Sequence, residues 1–277
     1  MSDALVHRAD HDRIAVLTLD SPANRNALSR RLVADLAQHL AEAGADEALH
    51  GVLLRSSHPV FCAGADLKEA ATVDMVESAR GIIALQRDIA DLPVPVVCRL
   101  DGAVRAGGLG LVASADVVVC RDDVTFALTE VRLGLAAAVI SIPLRARLSP
   151  RAASDWFLTG RPVGADEARE QGLVTHVVPA DELDERVSAF CQRVALNPLD
   201  VLTVHKHVTN RWSEVMNVRL AAFEGAEYDA IAHLTPSMAE FGRRTSEDGL
   251  RAALAWRDGP YSSGPAADHD AAVRRHR

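Results

Sequence analysis

Short apolar runs at 13–19, 51–55, 94–100, 115–120 and 174–178 alternate with longer segments of helical spacing, and this order limits the fold more than any other feature of the chain. Runs of this length, rich in Val and Leu, read as strands. The segment 29–43 instead repeats its apolar residues at helical intervals behind Ser29, a good N-cap. Strands that recur with helices between them imply an α/β protein. After Asn197-Pro198 the strand-like runs stop, and 199–257 reads as helices with Leu220, Phe223 and Tyr228 as apolar positions. From Gly259 the chain is rich in Gly, Ser, Ala, Asp and Arg, the composition of a loose tail. The 277 residues are enough for one sizeable core with an appended helical segment. The expected divisions are therefore a core at 1–197, a helical region at 198–258 and a tail at 259–277.

A net charge of −8 argues against generic nucleic-acid binding, so an anionic ligand has to meet locally placed cations. Arg25, Arg30, Arg31 and Lys68 stand near the loops discussed below. Cys62, Cys98, Cys120 and Cys191 have no short paired spacing and sit mostly in apolar runs, which favours reduced core thiols over disulfides. His205 and His207 lie two apart on an expected helix and face different ways, so they do not form a metal site. The first residues include Asp3, Asp10 and Asp12 and carry no targeting pattern, and the apolar stretch from Leu133 to Leu144 is too short for a membrane span. A cytoplasmic protein is expected.

The stretch Phe61-Cys-Ala-Gly-Ala-Asp-Leu-Lys-Glu69 follows an apolar run, and its Asp66 and Glu69 have capping-box spacing for a helix starting there. Ala63, Gly64 and Ala65 expose backbone that a substrate carbonyl can approach, although small residues also suit an ordinary strand-to-helix turn. A second small-residue loop follows the run 92–100. Asp101-Gly102 reads as a turn, and Gly107-Gly108-Leu-Gly110 opens an apolar helix whose unpaired N–H groups favour a developing oxyanion. Gly108 to Ala113 also fits the dinucleotide pattern G-x-G-x-x-A, but residues 101–107 separate it from the strand, which that motif does not allow. Glu130 comes just after the strand-like residues 124–128, where a carboxylate is either solvated or aimed at the two donor loops.

Taken in order, these segments resemble the crotonase superfamily, the enoyl-CoA hydratase/isomerase family. Pro22 with Asn26-Ala27-Leu28, Ala63-Gly64-Ala65-Asp66, Asp101-Gly102 with Gly107-Gly108, Leu158-Thr159-Gly160, Glu170 to Val174, and Ser246 through Arg257 match its successive motifs. The resemblance implies a spiral of ββα turns rather than a doubly wound sheet. It also implies a C-terminal helical trimerisation region and a homotrimer or dimer of trimers. It makes Ala63 and Gly107 the oxyanion donors, residues Ala63, Gly64, Ala65, Asp66 and Gly107 the substrate-binding set, and Glu130 the acid/base. No cofactor is implied beyond coenzyme A carried on the substrate, and no nucleic acid, membrane or metal. Asp116 resembles a structural aspartate of the family, and Arg105 lies where a guanidinium either meets a ligand anion or is solvated. Cys62 beside the first loop reads as packing, because no histidine stands near it to activate the thiol.

One departure bears on the reaction. Where the family's hydratases carry a second glutamate, this chain has Gly110. Hydration of a 2-enoyl-CoA is easiest with two acid/base groups, whereas moving a double bond between positions 3 and 2 needs one. Asp101 and Arg105 are candidates to assist. The hydratase is the leading expectation, the 3-enoyl to 2-enoyl isomerase the second, and a catalytically weak acyl-CoA-binding protein the reading of another class.

Overall fold

The computed structural model describes residues 4–69, 74–210, 234 and 236–259. Leu220, Phe223 and Tyr228, and the tail beyond residue 259, lie outside the described residues. The chain opens with an antiparallel pair, β1 (Val6–His11) and β2 (Ile14–Leu19), followed by α1 (Arg30–Ala45). Ser29 caps α1 by accepting from the Leu32 N–H at 3.2 Å.

From there the chain repeats one unit, placing a strand in each of two sheets and then a helix. The first sheet runs in the order β1-β2-β3-β5-β7-β10, built on the parallel strands β3 (Gly51–Ser56), β5 (Val96–Leu100) and β7 (Val117–Arg121), with β10 (His176–Val178) at its edge. The second joins β4 (Val60–Cys62), β6 (Ala103–Arg105) and β8 (Thr125–Ala127), closed by the short antiparallel β9 (Val163–Gly164). Helix α2 (Met75–Asp91) follows β4, and α3 (Gly108–Ser114) follows β6. A 3-10 turn, Thr129–Leu133, follows β8 and leads on to α4 (Ser141–Arg147) and α5 (Pro150–Thr159). This is the ββα spiral that the family resemblance implied, where the sequence pattern alone gave only α/β order.

Parallel strands covered on both faces read as nearly continuous apolar runs, and β3, β5 and β7 do so over 51–54, 96–98 and 117–120. Val52, Leu54, Val96, Cys98, Val118 and Cys120 point into the main core, while Leu53, Val97 and Val119 pack under α7 (Leu183–Ala195), after the short α6 (Ala165–Glu170). The turn from β5 to β6 passes so close to the preceding unit that a Cβ on Gly102 would fall 1.7 Å from the Pro59 carbonyl oxygen. Glycine is required there for space alone.

One local expectation fails for a tertiary reason. The Asp66 and Glu69 pair does not form a capping box: Asp66 Oδ1 accepts from the Lys68 N–H at 2.9 Å, and Glu69 Oε2 accepts from the Arg30 N–H at 2.9 Å, across to the start of α1. Helix α2 begins later, behind Asp74, whose Oδ1 accepts from the Val76 N–H at 2.9 Å.

Beyond α7 the described elements are helices: α8 (Leu199–Asn210), α9 (Pro236–Asp248) and α10 (Leu250–Asp258). Lys206 secures α8. Its Nζ lies 2.8 Å from Asp116 Oδ2 and donates to the Ile89 and Val94 carbonyl oxygens at 2.9 and 3.0 Å. Asp116 also accepts from the Val96 N–H at 2.7 Å, so the structural role expected for it is filled, with a buried lysine as its second partner. Burial lowers the Lys206 pKa and the Asp116 charge opposes that shift. Asp116→Ala would leave a buried ammonium facing carbonyl oxygens alone. It is expected to lower the unfolding free energy by about 3–5 kcal/mol, read as a shifted denaturant midpoint.

Candidate active site

Three loops meet at the mouths of the two sheets. The first contains Arg25 and Asn26, both in the left-handed region at φ 58° and 54°, which costs free energy for residues with a Cβ. The buried Asn26 carboxamide holds that conformation. Its Oδ1 accepts from the Ser21 N–H at 2.7 Å, and its Nδ2 donates to Ser56 Oγ at 2.8 Å and the Phe61 carbonyl at 3.1 Å. The Arg25 carbonyl is thereby turned toward the second loop, where it accepts from the Ala63 N–H at 3.1 Å.

That bond corrects an expectation. The Ala63 N–H is used inside the protein and is not offered to a substrate. One residue on, the geometry changes. Gly64 sits at φ 92°, its carbonyl accepts from the Leu28 N–H at 2.7 Å, and a Cβ on it would lie 2.5 Å from the Ala106 Cβ and 3.1 Å from the Gly107 nitrogen. The second and third loops therefore touch at this glycine. The Ala65 nitrogen lies only 3.6 Å from where a Gly107 Cβ would stand. Among the described residues, neither the Ala65 N–H nor the Gly107 N–H donates to a protein acceptor. The Arg25 contact distinguishes the two alanines that flank Gly64, since it engages the Ala63 N–H and leaves the Ala65 N–H to the cavity side.

Gly107 caps α3 from its N-terminal side, and Ala106 before it is also left-handed at φ 49°. Gly108 packs on Cys62, where a Cβ would meet the Cys62 Cβ at 2.8 Å. Burial pushes the Cys62 thiol up to about 12, with the Gly64 backbone acting in the opposite direction. A thiol so protonated and enclosed is packing, as the sequence suggested.

The loops frame a cavity of about 520 Å³, lined by Ala65, Gly107 and Glu130 among others. Glu130 is half-buried in the 3-10 turn, which ends at Gly134 in the left-handed region. The Leu135 N–H donates back to the Glu130 carbonyl at 3.0 Å, fixing the turn that directs the residue. Ile82 on α2 and Ile140 form apolar wall, and Met238, Leu250 and Leu254 of α9 and α10 close the cavity from the C-terminal side. The residues Ala63, Ala65 and Asp66 line it too, while Gly64 underlies the contact between the loops. The Asp66 carboxylate serves the scaffold, accepting from Asn24 Nδ2 at 2.8 Å.

The other candidates separate. Arg105 lines the cavity, but its guanidinium donates to the Thr125 carbonyl and hydroxyl at 2.6 and 2.8 Å on β8. Asp101 accepts both arms of Arg99 at 2.8 Å and does not line the cavity. Arg25 and Lys68 reach its rim, whereas Arg30 pairs with Glu77 at 3.1 Å. His205 and His207 are exposed on α8, and no group of metal-ligating side chains occurs among the described residues. At Gly110 the space for a side chain is already occupied: a Cβ would stand 2.4 Å from Gln86 Nε2 and 2.6 Å from Ile140 Cγ2. The residue that fills this place, Gln86, gave no sign in the sequence, because it lies on a different helix.

Comparison with known proteins gives the same frame. Residues 10–239 match the family model described as enoyl-CoA hydratase/isomerase. A Danio rerio protein named enoyl-CoA hydratase domain-containing protein 3, mitochondrial, is 28% identical over 95% of this chain and 89% of its own. A Rhodococcus jostii protein named (7aS)-7a-methyl-1,5-dioxo-2,3,5,6,7,7a-hexahydro-1H-indene-carboxyl-CoA hydrolase is 34% identical over 73% of this chain and 78% of its own. The crystal structure of an enoyl-CoA hydratase from Mycobacterium avium superposes with a TM-score of 0.80 at 37% identity, over 89% of this chain and 98% of that one.

The contact at Gly64 yields a direct test of the loop geometry. Gly64→Ala is strained at its φ and forces the two loops apart. It is expected to lower stability by at least about 1 kcal/mol and, by misplacing the backbone donors, to reduce turnover about 10²-fold or more. Thermal unfolding and steady-state kinetics on the same variant check both effects.

Proposed function

We propose, since this chain belongs to the enoyl-CoA hydratase/isomerase family, that its cavity takes an acyl-CoA thioester and hydrates a 2-enoyl group through an enolate. One observation carries the reading: two N–H groups without protein acceptors, those of Ala65 and Gly107, open onto the cavity that Glu130 also lines. A thioester oxygen bound between the two donors gains charge as the enolate forms, and each such donor typically contributes about 2.7–4 kcal/mol to the transition state. Glu130 removes a proton from water as the water oxygen bonds to C3. The C2=C3 electrons move toward the thioester oxygen, and Glu130 then returns a proton to C2 as the enolate collapses. One carboxylate thus serves as base and then as acid.

Arg25 and Lys68 at the rim supply positive charge for the coenzyme A phosphates, in a chain that is acidic overall. Coenzyme A arrives on the substrate, and the scheme requires no added cofactor. Exposed Val201, Val204 and Val208 on α8 support assembly as a trimer or dimer of trimers.

The isomerase is the second reading, favoured by Gly110, since double-bond migration needs one base and no held water. The relatives' names span a hydratase and a hydrolase, so the scaffold alone does not select the chemistry.

Mixed 2-enoyl- and 3-enoyl-CoA thioesters turned over in heavy water are expected to give a product heavier than the 2-enoyl substrate by one water. A moved double bond on an otherwise unchanged skeleton, with deuterium exchanged in, selects the isomerase. Glu130→Gln is expected to cut turnover about 10²–10⁴-fold while acyl-CoA binding, followed by calorimetry, persists. Undiminished turnover removes Glu130 from the mechanism.

A further inference from the structure

Gln86 is 5% exposed, and its Nε2 is buried with no hydrogen-bond partner among the described residues. It lies on α2 at positions i+4 and i+7 from Ile82 and Ala79, both of which line the cavity, and so stands on the same side of the helix one turn beyond the last α2 residue of the lining. Its amide occupies the space that a side chain on Gly110 would take, beside Ile140, another residue of the cavity lining. Buried polar groups are normally paired, and one left unpaired beside a reaction cavity points to a partner supplied by the ligand or by water.

The position identifies that partner. Gly110 is three residues beyond Gly107 on α3, a rise of roughly 4.5 Å. A thioester oxygen held by the Gly107 N–H therefore places carbons 1 to 3 of the acyl group near the side-chain direction of residue 110, rather than the far end of the acyl chain. The oxygen needed there is the water that adds to C3.

We propose that Gln86 replaces, from a different helix, the polar side chain absent at Gly110, and that its carboxamide holds the attacking water. This rests on the hydratase reading above. The amide neither gains nor loses a proton. Its N–H donates to the water oxygen and its carbonyl accepts one water hydrogen, which leaves the other hydrogen for Glu130. The C–O bond forms at C3 and the π electrons pass to the enolate oxygen on Ala65 and Gly107. An amide in place of a carboxylate leaves Glu130 as the group that carries protons.

The test separates water delivery from the rest of the machinery. Exchange of the α-hydrogens of a saturated acyl-CoA with deuterium requires the backbone donors and Glu130 but no water at C3. Hydration of straight-chain 2-enoyl-CoA thioesters of short, medium and long chain requires all of them. Gln86→Leu is expected to lower hydration about 10²-fold or more while exchange on the saturated thioester of matching length stays within a few-fold. Its melting temperature should not fall, because an unpaired buried amide has been replaced by an apolar group of similar size. Gln86→Glu is expected to keep hydration and to add an ionisation to the pH profile of hydration that the profile of exchange lacks. It also decides the matter should the leucine variant fail to fold. Hydration and exchange falling together, or neither changing, would overturn the role of Gln86 and leave the hydratase reading standing. Wild-type protein that exchanges α-hydrogens but hydrates none of the thioesters would overturn the reading itself.

Discussion

The approach of two loops at Gly64 is the contact on which the site depends. With a Cβ there the Ala106 methyl would be only 2.5 Å away, so the loop after β4 and the loop before α3 can meet only over a bare backbone. Their meeting brings the Ala65 and Gly107 nitrogens side by side, which neither loop can achieve alone. The parallel sheets make the encounter possible, because successive ββα units place equivalent loops at the same sheet edge. A repeated architecture thus converts distant segments into one pair of donors.

Holding that pair has a conformational cost, visible in the left-handed residues Arg25, Asn26 and Ala106. The compensation is local and polar at Asn26, whose carboxamide joins the first loop to β3 and β4. It is apolar at Gly108, which rests on Cys62. Farther away the Lys206–Asp116 pair ties α8 to the start of β5 through buried hydrogen bonds. Strain at a site and over-determination around it commonly go together, since backbone in sparsely populated conformations persists only when its neighbours leave no alternative.

The chemistry reflects a division of labour. In the proposed reaction, backbone groups, which need no particular side chain, stabilise negative charge, and the half-buried Glu130 carboxylate carries protons. The space beside Gly110 is filled by Gln86 from α2 and by Ile140, which stands just before α4. Gln86 and Gly110 lie twenty-four residues apart in the chain, and no spacing rule links them.

Local pattern was sufficient wherever a residue's role depends on its own neighbours. The central strands of the large sheet carry apolar residues at successive positions because both faces are covered, so their runs stand out, and Ser29 announces α1 because an N-cap acts within one turn. The two small-residue loops stood out for the same reason, as did the change from strands to the helical C-terminal part. Tertiary structure decided the remainder. Which of two alanines keeps a spare N–H depends on the Arg25 carbonyl, thirty-eight residues earlier in the chain. Glu69 turns from its own helix start to that of α1, and Lys206, between two exposed histidines, goes inward to meet Asp116. Hydrogen-bond donors and acceptors are satisfied by whatever the fold brings near, and that proximity is a property of the packed chain, with no counterpart in the order of its residues.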